Sequence, residues 1–255
     1  MASPSHVDRW VEAHGHQRVL DYHEGQYSSP YRSTVLFCDW LMAEGLLDES
    51  VACSLLDVGC GMGGNGYYIA RRFPHLSYRG LEINTDFVRR GNALLRQKKV
   101  QNCRLQAGNL FAPPTDAFRR FDGVISFQVL SWLPTLEEGL RAMAGFRPKW
   151  IAGTSLFFEG NVSATIELKD YTIPVAGSDH SISYCNVYAL KQTEECFARF
   201  GFPDFRFKRF DIDIDLPKGS HGGLGTYTEL LADGRRLQIS GPIILSWYFI
   251  LAMAA

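Results

Sequence analysis

The chain has 255 residues, of which 46% are hydrophobic and 21% charged, and its formal net charge is −1 at pH 7. This length and composition predict one sizeable globular domain and exclude a disordered chain. No long run of Lys or Arg offers an electrostatic footprint for a phosphate backbone, so nucleic acid is not expected as a partner.

The cysteines and the two chain ends indicate the expected environment. Six cysteines are scattered without a C-x-x-C pair, and the N-terminus is polar, so we expect reduced cysteines in a cytoplasmic protein. His14 and His16 have no cysteine or carboxylate cluster at ligand spacing, and no metal is expected. The apolar run at 242–255 is shorter than the roughly 20 residues of a spanning helix, which predicts a buried final strand and no membrane anchor.

About fifty residues at the start of the chain are predicted to be helical. Apolar spacing from Val7 and Trp10 to Tyr22 predicts one amphipathic helix, and the segment from Arg32 to Gly45 predicts another. Between the two helices, the residues from His23 to Tyr31 form a polar, aromatic loop that contains Gly and Pro.

A glycine-rich turn follows the first predicted strand. Ser54 to Val58 reads as a buried strand that carries Asp57, and Gly59, Gly61 and Gly63 follow before a predicted helix. Glycines let the backbone approach a ligand and adopt positive φ, so this turn predicts a nucleotide cradle. The glycines fit both a dinucleotide and S-adenosylmethionine. Asp57 favours the latter, because a carboxylate would attract its ammonium and sulfonium by about 4 kcal/mol at 4 Å in an effective dielectric near 20.

Strands and helices alternate through the middle of the chain. This alternation predicts an α/β fold with a doubly wound, mostly parallel sheet covered on both faces, with the ligand across the carboxyl ends of its strands. A second predicted strand ends in Glu82, where a carboxylate can accept hydrogen bonds from both ribose hydroxyls. The other predicted strands lie near Cys103 to Ala107, Gly123 to Phe127 and Trp150 to Ser155, and the predicted helices near Gly64 to Phe73, Asp86 to Gln97 and Leu136 to Gly145.

Beyond residue 156 the alternation loosens. A short extra strand is predicted at Thr165 to Leu168, a helix at Gln192 to Phe200 and a long strand at Phe205 to Leu216. The segment from Thr226 to Ile239 predicts a hairpin with Asp233 and Gly234 in its turn. Trp247 to Met253 is the predicted last strand.

Four successive motifs resemble those of class I S-adenosylmethionine-dependent methyltransferases: Asp57 to Gly63, then Glu82, then Ala107 to Leu110, then Phe121 to Leu130. The resemblance covers about residues 52 to 160. It implies a Rossmann-like sheet of seven strands with a late antiparallel strand, and S-adenosylmethionine as the cofactor.

The resemblance also implies a division of the chain and roles for several residues. Residues 1–50 would form a helical lid, and residues 51–255 a methyltransferase domain with acceptor-side insertions at about 157–190 and 217–242. The Gly59 to Gly63 loop would hold the methionine moiety, Glu82 the ribose, and Asn109 with Leu110 the adenine. The family most often has Asp at the Asn109 position, and Asn still offers an amide oxygen to the adenine amino group.

Methyl transfer from a sulfonium needs mainly alignment of the nucleophile with the methyl group. Acceptor-facing residues are therefore expected on the lid and past the fourth and fifth strands. Gln128 is a candidate cofactor contact there. If the acceptor must lose a proton, His180 is the first candidate for general base and Glu159, after the fifth strand, the second. The candidate acceptor contacts are Tyr27, Tyr31, Trp132, Tyr184, Asn186 and Tyr188.

The sequence favours a methyltransferase acting on a small molecule, with oxygen first, nitrogen second and carbon third as the methylated atom. An NAD-dependent oxidoreductase remains an alternative, because Gly59, Gly61 and Gly64 with Glu82 also satisfy the dinucleotide pattern. A non-catalytic cofactor-binding module is the other alternative. The oligomeric state is left open.

Overall fold

In the computed structural model of the chain, the described residues are 11, 15, 17–114, 120–219, 225–240, 243–244 and 247–255. Val7 and Trp10, predicted to open the first helix, lie outside them, as do His14 and His16. The described fold is built around one mixed sheet with helices on both faces.

The main sheet contains the strands β1 (Cys53–Val58), β2 (Leu76–Glu82), β3 (Cys103–Ala107), β4 (Gly123–Phe127), β5 (Trp150–Phe158), β8 (Tyr188–Ala189), β9 (Asp204–Phe210) and β12 (Trp247–Met253). Seven of them follow the order β3-β2-β1-β4-β5-β12-β9, and the short β8 pairs with the end of β5. All pairings from β3 to β5 are parallel, whereas β12 runs antiparallel to both of its neighbours. The predicted doubly wound sheet with a late antiparallel strand is therefore confirmed, with β8 as an addition.

Two small hairpins stand outside the main sheet. The insert hairpin pairs β6 (Glu167–Asp170) with β7 (Ser181–Tyr184), and the second pairs β10 (Thr226–Leu230) with β11 (Arg236–Ser240). The second hairpin is the one predicted from its Asp-Gly turn.

Helices cover both faces of the sheet. On one face, apolar side chains of α2 (Arg32–Ala43), α3 (Gly64–Arg72) and α4 (Thr85–Gln97) join one core, which also contains Tyr27 of the segment before α2. On the other face, α5 (Leu136–Gly145) and α6 (Leu190–Arg199) join a second core. The first described helix, α1 (Gln17–Gly25), lies over the glycine turn rather than over the sheet. We call α1 and the segment through Tyr31 the lid.

The strand predicted from Phe205 to Leu216 is wrong in its second half, because β9 ends at Phe210. From there, Asp211 pairs with Arg209 and Asp215 with Arg236. Leu216 and Thr228 exchange hydrogen bonds of 2.8 and 3.1 Å, so this part of the chain runs along β10. After Phe210 these aspartates are therefore paired with arginines, and the chain no longer continues β9. We call residues 211–218 together with β10 and β11 the arm.

None of the described helices combines the length and the apolar composition needed to cross a membrane. The apolar C-terminal run is instead the strand β12, whose bounds match the prediction.

Phe37 is the aromatic centre of the core under the lid-side helices. Its fully buried ring contacts Phe127 of β4 at 5.1 Å and Phe249 of β12 at 5.4 Å, measured between ring centroids. We predict that Phe37→Ala lowers the free energy of unfolding by about 3–5 kcal/mol, since it leaves a cavity between helix and sheet. Phe207→Ala, in a half-exposed ring on β9, should cost about 1 kcal/mol or less. Urea denaturation measures both, and equal losses would contradict this account of the core.

Candidate functional site

The glycine turn after β1 has the backbone that a ligand cradle needs. Gly59, Gly61 and Gly63 all have positive φ, of 70°, 55° and 82°. Gly59 is exposed, and a Cβ there would lie 2.4 Å from a methyl group of Val129. Any larger residue would strain the backbone and collide with Val129, so the turn stays open only with glycine.

The lid rests directly on this turn. A Cβ at Gly61 would lie 2.8 Å from Cε1 of His23, whose ring also meets Phe87 with centroids 4.7 Å apart. The Tyr27 hydroxyl donates a 2.5 Å hydrogen bond to the carbonyl of Met62, inside the turn. Tyr27 is 5% exposed, so the structure uses this predicted acceptor contact to hold the turn instead.

Tyr31 and Gln26 complete the lid contact. The Gln26 amide donates to the Tyr31 hydroxyl at 3.1 Å, and a Cβ at Gly64 would lie 2.4 Å from Cβ of Gln26. His23 and Gln26 were not singled out from the sequence. The polar loop was visible, but which of its side chains meets a glycine depends on how the lid docks.

Asp57 is buried beneath the turn and is 1% exposed. Its Oδ2 accepts a short hydrogen bond from the Tyr78 hydroxyl, and Oδ1 has no hydrogen-bond partner among the described residues. Burial raises the pKa of Asp57 to about 8; the Tyr78 hydrogen bond opposes this shift and nearby Glu82 adds to it. The predicted attraction between Asp57 and a cationic cofactor stays a prediction, because the carboxyl is buried and its raised pKa favours the neutral form.

Glu82, at the end of β2, lies beside the same turn. Its Oε2 accepts from the Gly61 N–H at 2.9 Å and its Oε1 from the Asn84 N–H at 2.9 Å. Burial raises the pKa of Glu82, and these backbone donors oppose the shift. The carboxylate thus fixes the turn to β2, and each oxygen keeps a further lone pair for another donor.

Two more strand ends border the cradle. After β3, the Asn109 side-chain oxygen accepts from the Phe111 N–H at 2.9 Å, and Leu110 packs against the second core. After β4, Gln128 has a φ of 65°, which is uncommon for a residue other than glycine, and its N–H donates to the Thr154 carbonyl at 2.8 Å. Such a backbone strain at a strand end is typical of functional sites.

The insert hairpin and the arm are both tied to the lid side. Arg18 of α1 pairs with Asp170 at 3.3 Å and donates to Thr172 at 3.0 Å. Arg32, at the start of α2, donates from Nε to Asp213 of the arm at 2.8 Å. Arg18 thus ties the lid to the insert hairpin, and Arg32 ties the start of α2 to the arm.

The predicted acceptor contacts outside the lid divide into two groups. Asn186 is fully buried: its side chain accepts from the Ile166 N–H at 3.1 Å and donates to the Leu133 carbonyl at 2.8 Å. The Tyr188 hydroxyl donates to the Leu130 carbonyl at 3.2 Å. Both side chains therefore fasten the segment 130–133 to the insertion. Tyr184 stays half-buried on β7, and Trp132 is half-buried in a single 3₁₀ turn after β4.

The two candidate bases lie in different surroundings. The His180 Nδ1 lies 2.6 Å from Oδ1 of Asp179, and its ring contacts Tyr171 in the insertion that Arg18 holds. The hydrogen bond to His180 lowers the pKa of Asp179. Glu159 instead accepts a 2.7 Å hydrogen bond from Tyr248, whose side chain belongs to the core on the face opposite the lid.

Neither a metal-ligating cluster among the described residues nor the cavity beside α4 marks the site. Within the described part of the chain, no group of three or more His, Cys, Asp or Glu side chains is placed to hold a metal ion. A cavity of about 380 Å³ lies between α4 and the edge strand β3, and none of the predicted site residues lines it. The chemistry-bearing residues converge at the carboxyl edge of the sheet instead.

Solved structures share this fold. A phosphoethanolamine N-methyltransferase 2 of Haemonchus contortus, in complex with phosphomonomethylethanolamine and S-adenosylhomocysteine, matches with a TM-score of 0.64 and 12% identity over 99% of this chain and 60% of its own. The N-terminal domain of EvdMO1 with S-adenosylhomocysteine bound matches with a TM-score of 0.54 and 13% identity, over 87% of this chain and 81% of its own. The YcgJ protein of Bacillus subtilis matches with a TM-score of 0.51 and 13% identity, over 80% of this chain and 92% of its own.

The buried carboxyl of Asp57 predicts a specific pH dependence of stability. Because its pKa is about 8 in the folded chain against about 3.9 unfolded, the folded state binds this proton more tightly. Its stabilisation is complete below about pH 4 and is lost as the pH rises through about 8. We predict that between pH 5 and 7 the free energy of unfolding of the wild type falls, relative to that of Asp57→Asn, by up to about 1.4 kcal/mol per pH unit.

Urea denaturation at several pH values measures this difference, and Asp21→Asn, at an exposed position of α1, is the control that should parallel the wild type. Parallel curves for Asp57→Asn and the wild type would contradict a buried, protonated Asp57.

Sequence comparison places the chain among known proteins. Residues 56–146 match the methyltransferase domain family. An uncharacterized protein of Rickettsia prowazekii (strain Madrid E), RP028, is 27% identical over 79 residues, which span 31% of this chain and 31% of that protein. The matched residues run from β1 through α5 and contain the glycine turn, Glu82 and Gln128. Residues 56–146 are therefore similar to a methyltransferase domain, and the described fold is shared with structures that bind S-adenosylhomocysteine.

Proposed function

We propose that this protein transfers the methyl group of S-adenosylmethionine to a small-molecule acceptor held at the carboxyl edge of its sheet, most readily to an oxygen atom. The observation that carries the proposal is the open turn at Gly59, beside the carboxylate of Glu82 and under a docked lid. A cofactor that lies along exposed backbone and a buried carboxylate fits this arrangement.

The cofactor would lie across the ends of β1, β2, β3 and β4. The Gly59 to Gly63 turn would hold the methionine moiety, and the ribose hydroxyls would donate to the remaining lone pairs of Glu82. Asn109 and Leu110 would border the adenine, and the strained Gln128 would close the far side. The Asn109 oxygen already accepts from Phe111, so contact with the adenine amino group would use its second lone pair.

Asp57 would act on the cofactor from below rather than by direct contact. Its unpartnered Oδ1 lies under the turn, and a cationic ligand above would favour the ionised carboxyl. The preference for a sulfonium over a pyrophosphate that the sequence suggested would therefore require the bound cofactor to lower this pKa and ionise Asp57. The distinction from a nicotinamide cofactor rests on it.

A small acceptor is supported by the chain segments around the lid. Arg18 joins the lid to the insert hairpin through Asp170, and Arg32 joins α2 to the arm through Asp213, so these segments lie together on the lid side. The relatives with this fold include a complex with phosphomonomethylethanolamine and an EvdMO1 structure obtained in the presence of S-adenosylhomocysteine and D-fucose. Phosphomonomethylethanolamine and D-fucose are both small polar molecules.

If the acceptor is a hydroxyl, His180 is the better placed base. A hydrogen bond from its Nδ1–H to Asp179 would leave Nε2 free to accept a proton, with the imidazole held in one orientation. His180 also lies in the insertion to which the lid is tied. Glu159 is engaged by Tyr248 toward the opposite face, which argues against it.

We predict that Glu82→Gln weakens binding of S-adenosylhomocysteine by about 10-fold to 100-fold, because the ribose hydroxyls lose a charged acceptor. Isothermal titration calorimetry measures the affinity, and a thermal melt verifies that the variant is folded. Glu137→Gln, at an exposed start of α5, is the matched control and should bind as the wild type does. Heat from NADH and none from S-adenosylhomocysteine would reject the proposal.

The acceptor can be identified by mass spectrometry of a cell extract incubated with the protein and an isotopically labelled methyl donor. With that acceptor, we predict that His180→Gln lowers kcat by on the order of 100-fold or more and leaves the affinity for S-adenosylhomocysteine unchanged. His75→Gln, at an exposed position before β2, is the control. A loss of kcat in Glu159→Gln with none in His180→Gln would assign the base to Glu159 and overturn our choice.

A further inference from the structure

The chain that follows β4 lies against the glycine turn. We call residues 129–133 the β4 turn; they contain one 3₁₀ turn, Leu130–Trp132, in which the Trp132 N–H donates to the Val129 carbonyl at 2.9 Å. The Val129 side chain is next to Gly59, because a Cβ on that glycine would lie 2.4 Å from a Val129 methyl group. The position of Val129 therefore determines how much of the exposed Gly59 backbone a ligand can reach.

Three carbonyls of the β4 turn accept hydrogen bonds from one short segment of the insertion. The Asn186 backbone N–H donates to the Ser131 carbonyl at 2.8 Å, and the Asn186 side-chain amide donates to the Leu133 carbonyl at 2.8 Å. The Tyr188 hydroxyl donates to the Leu130 carbonyl at 3.2 Å. Carbonyls at the end of a helical turn depend on donors from outside that turn. Here the two side chains supply donors from 53 and 58 residues away in the sequence.

The Asn186 side chain makes its contacts out of reach of solvent. It is fully buried, its Oδ1 accepts from the Ile166 N–H at 3.1 Å, and its Nδ2 also donates to the Tyr188 hydroxyl at 3.3 Å. Loss of this amide would leave buried polar groups unpaired, which costs more than an average hydrogen bond contributes. One buried amide thus holds the β4 turn and the insertion in a fixed relation.

Strand β5 holds the same turn at its centre. Ser131 is fully buried, and its hydroxyl shares a short hydrogen bond with the Ser155 hydroxyl and accepts from the Leu156 N–H at 3.1 Å. The carbonyls on either side of Ser131 are bonded to the insertion instead. The two side chains of the insertion can therefore set the orientation of the β4 turn about Ser131.

We propose that Asn186 and Tyr188 are positioning residues for the cofactor: through the β4 turn they keep Val129 beside Gly59 and so maintain the shape of the cradle. The inference rests on the proposed function and deepens it, because it gives two residues a role in cofactor binding that needs no contact with the cofactor. Affinity for the cofactor would thus depend on hydrogen bonds from the insertion, far along the chain from the glycine turn.

The test measures binding of S-adenosylhomocysteine to the full chain by isothermal titration calorimetry. Asn186→Leu keeps a side chain of similar size but removes its hydrogen bonds, and we expect it to weaken binding by about 10-fold. Tyr188→Phe removes only the hydroxyl and should weaken binding by about 3-fold. If Asn186→Leu does not fold, Tyr188→Phe decides the question.

A matched variant separates positioning from a general loss of stability. Asn102 also carries an amide that donates to two backbone carbonyls, those of Ala70 and Leu76, at 2.9 and 3.0 Å. It directly precedes β3 and so lies at the amino edge of the sheet, away from the glycine turn. Asn102→Leu should lower the urea midpoint, as Asn186→Leu does, yet bind S-adenosylhomocysteine as the wild type does.

Val129→Ala tests the route of the effect. It should weaken binding, and its combination with Asn186→Leu, or with Tyr188→Phe if the former is unfolded, should bind about as weakly as the weaker single variant. Multiplied losses in the double variant, or wild-type affinity in Val129→Ala or in both variants of the insertion, would overturn the inference. No heat from the wild type with S-adenosylhomocysteine would instead reject the proposed function, and the inference with it.

Discussion

The contact between the lid and the glycine turn is the constraint on which the site depends. The turn has no side chains at Gly59 and Gly61, so its backbone can be approached from two directions. His23 takes one approach and the exposed face of Gly59 remains for a ligand. The Tyr27 hydroxyl then fixes the Met62 carbonyl, and Glu82 fixes the Gly61 N–H, so the turn is held from above and from below. Its shape is thereby set before any ligand arrives, which lowers the entropy cost of binding.

The sheet could be predicted from the sequence because its signals are local. Cys103–Ala107, Gly123–Phe127 and Trp247–Met253 have the predicted bounds. The first alternates apolar with polar residues, and the other two are short, mainly apolar runs. β9 was predicted too long because alternation continues to Leu216 in the sequence, whereas after Phe210 the chain leaves β12 and is hydrogen-bonded to Thr228 of β10 through Leu216. Partners so far apart in the chain leave no local pattern.

A sequence motif predicts where a candidate site residue lies along the chain, but the contacts that the residue makes depend on how the segments pack. The glycines, Glu82 and Gln128 lie at the predicted strand ends, and Glu82 and Gln128 make their contacts through groups that any sequence with this pattern would offer. Asn186 and Tyr188 alternate as pocket residues would, yet they bind the carbonyls of the segment 130–133. Alternation reports which residues share a face, but only the tertiary packing determines whether that face meets solvent or another loop. For the same reason, the sequence did not show that His23 and Gln26 lie against Gly61 and Gly64.

The two arginine contacts join parts of the chain that lie far apart in sequence. Arg18 reaches the insert hairpin across 152 residues and Arg32 reaches the arm across 181. Arg18 belongs to the lid, whereas Arg32 begins α2 directly after it, so the lid and the helix that follows it are each held by a different distant segment. A substitution at Asp170 or Asp213 would therefore change how this end of the chain is anchored without altering the glycine turn itself.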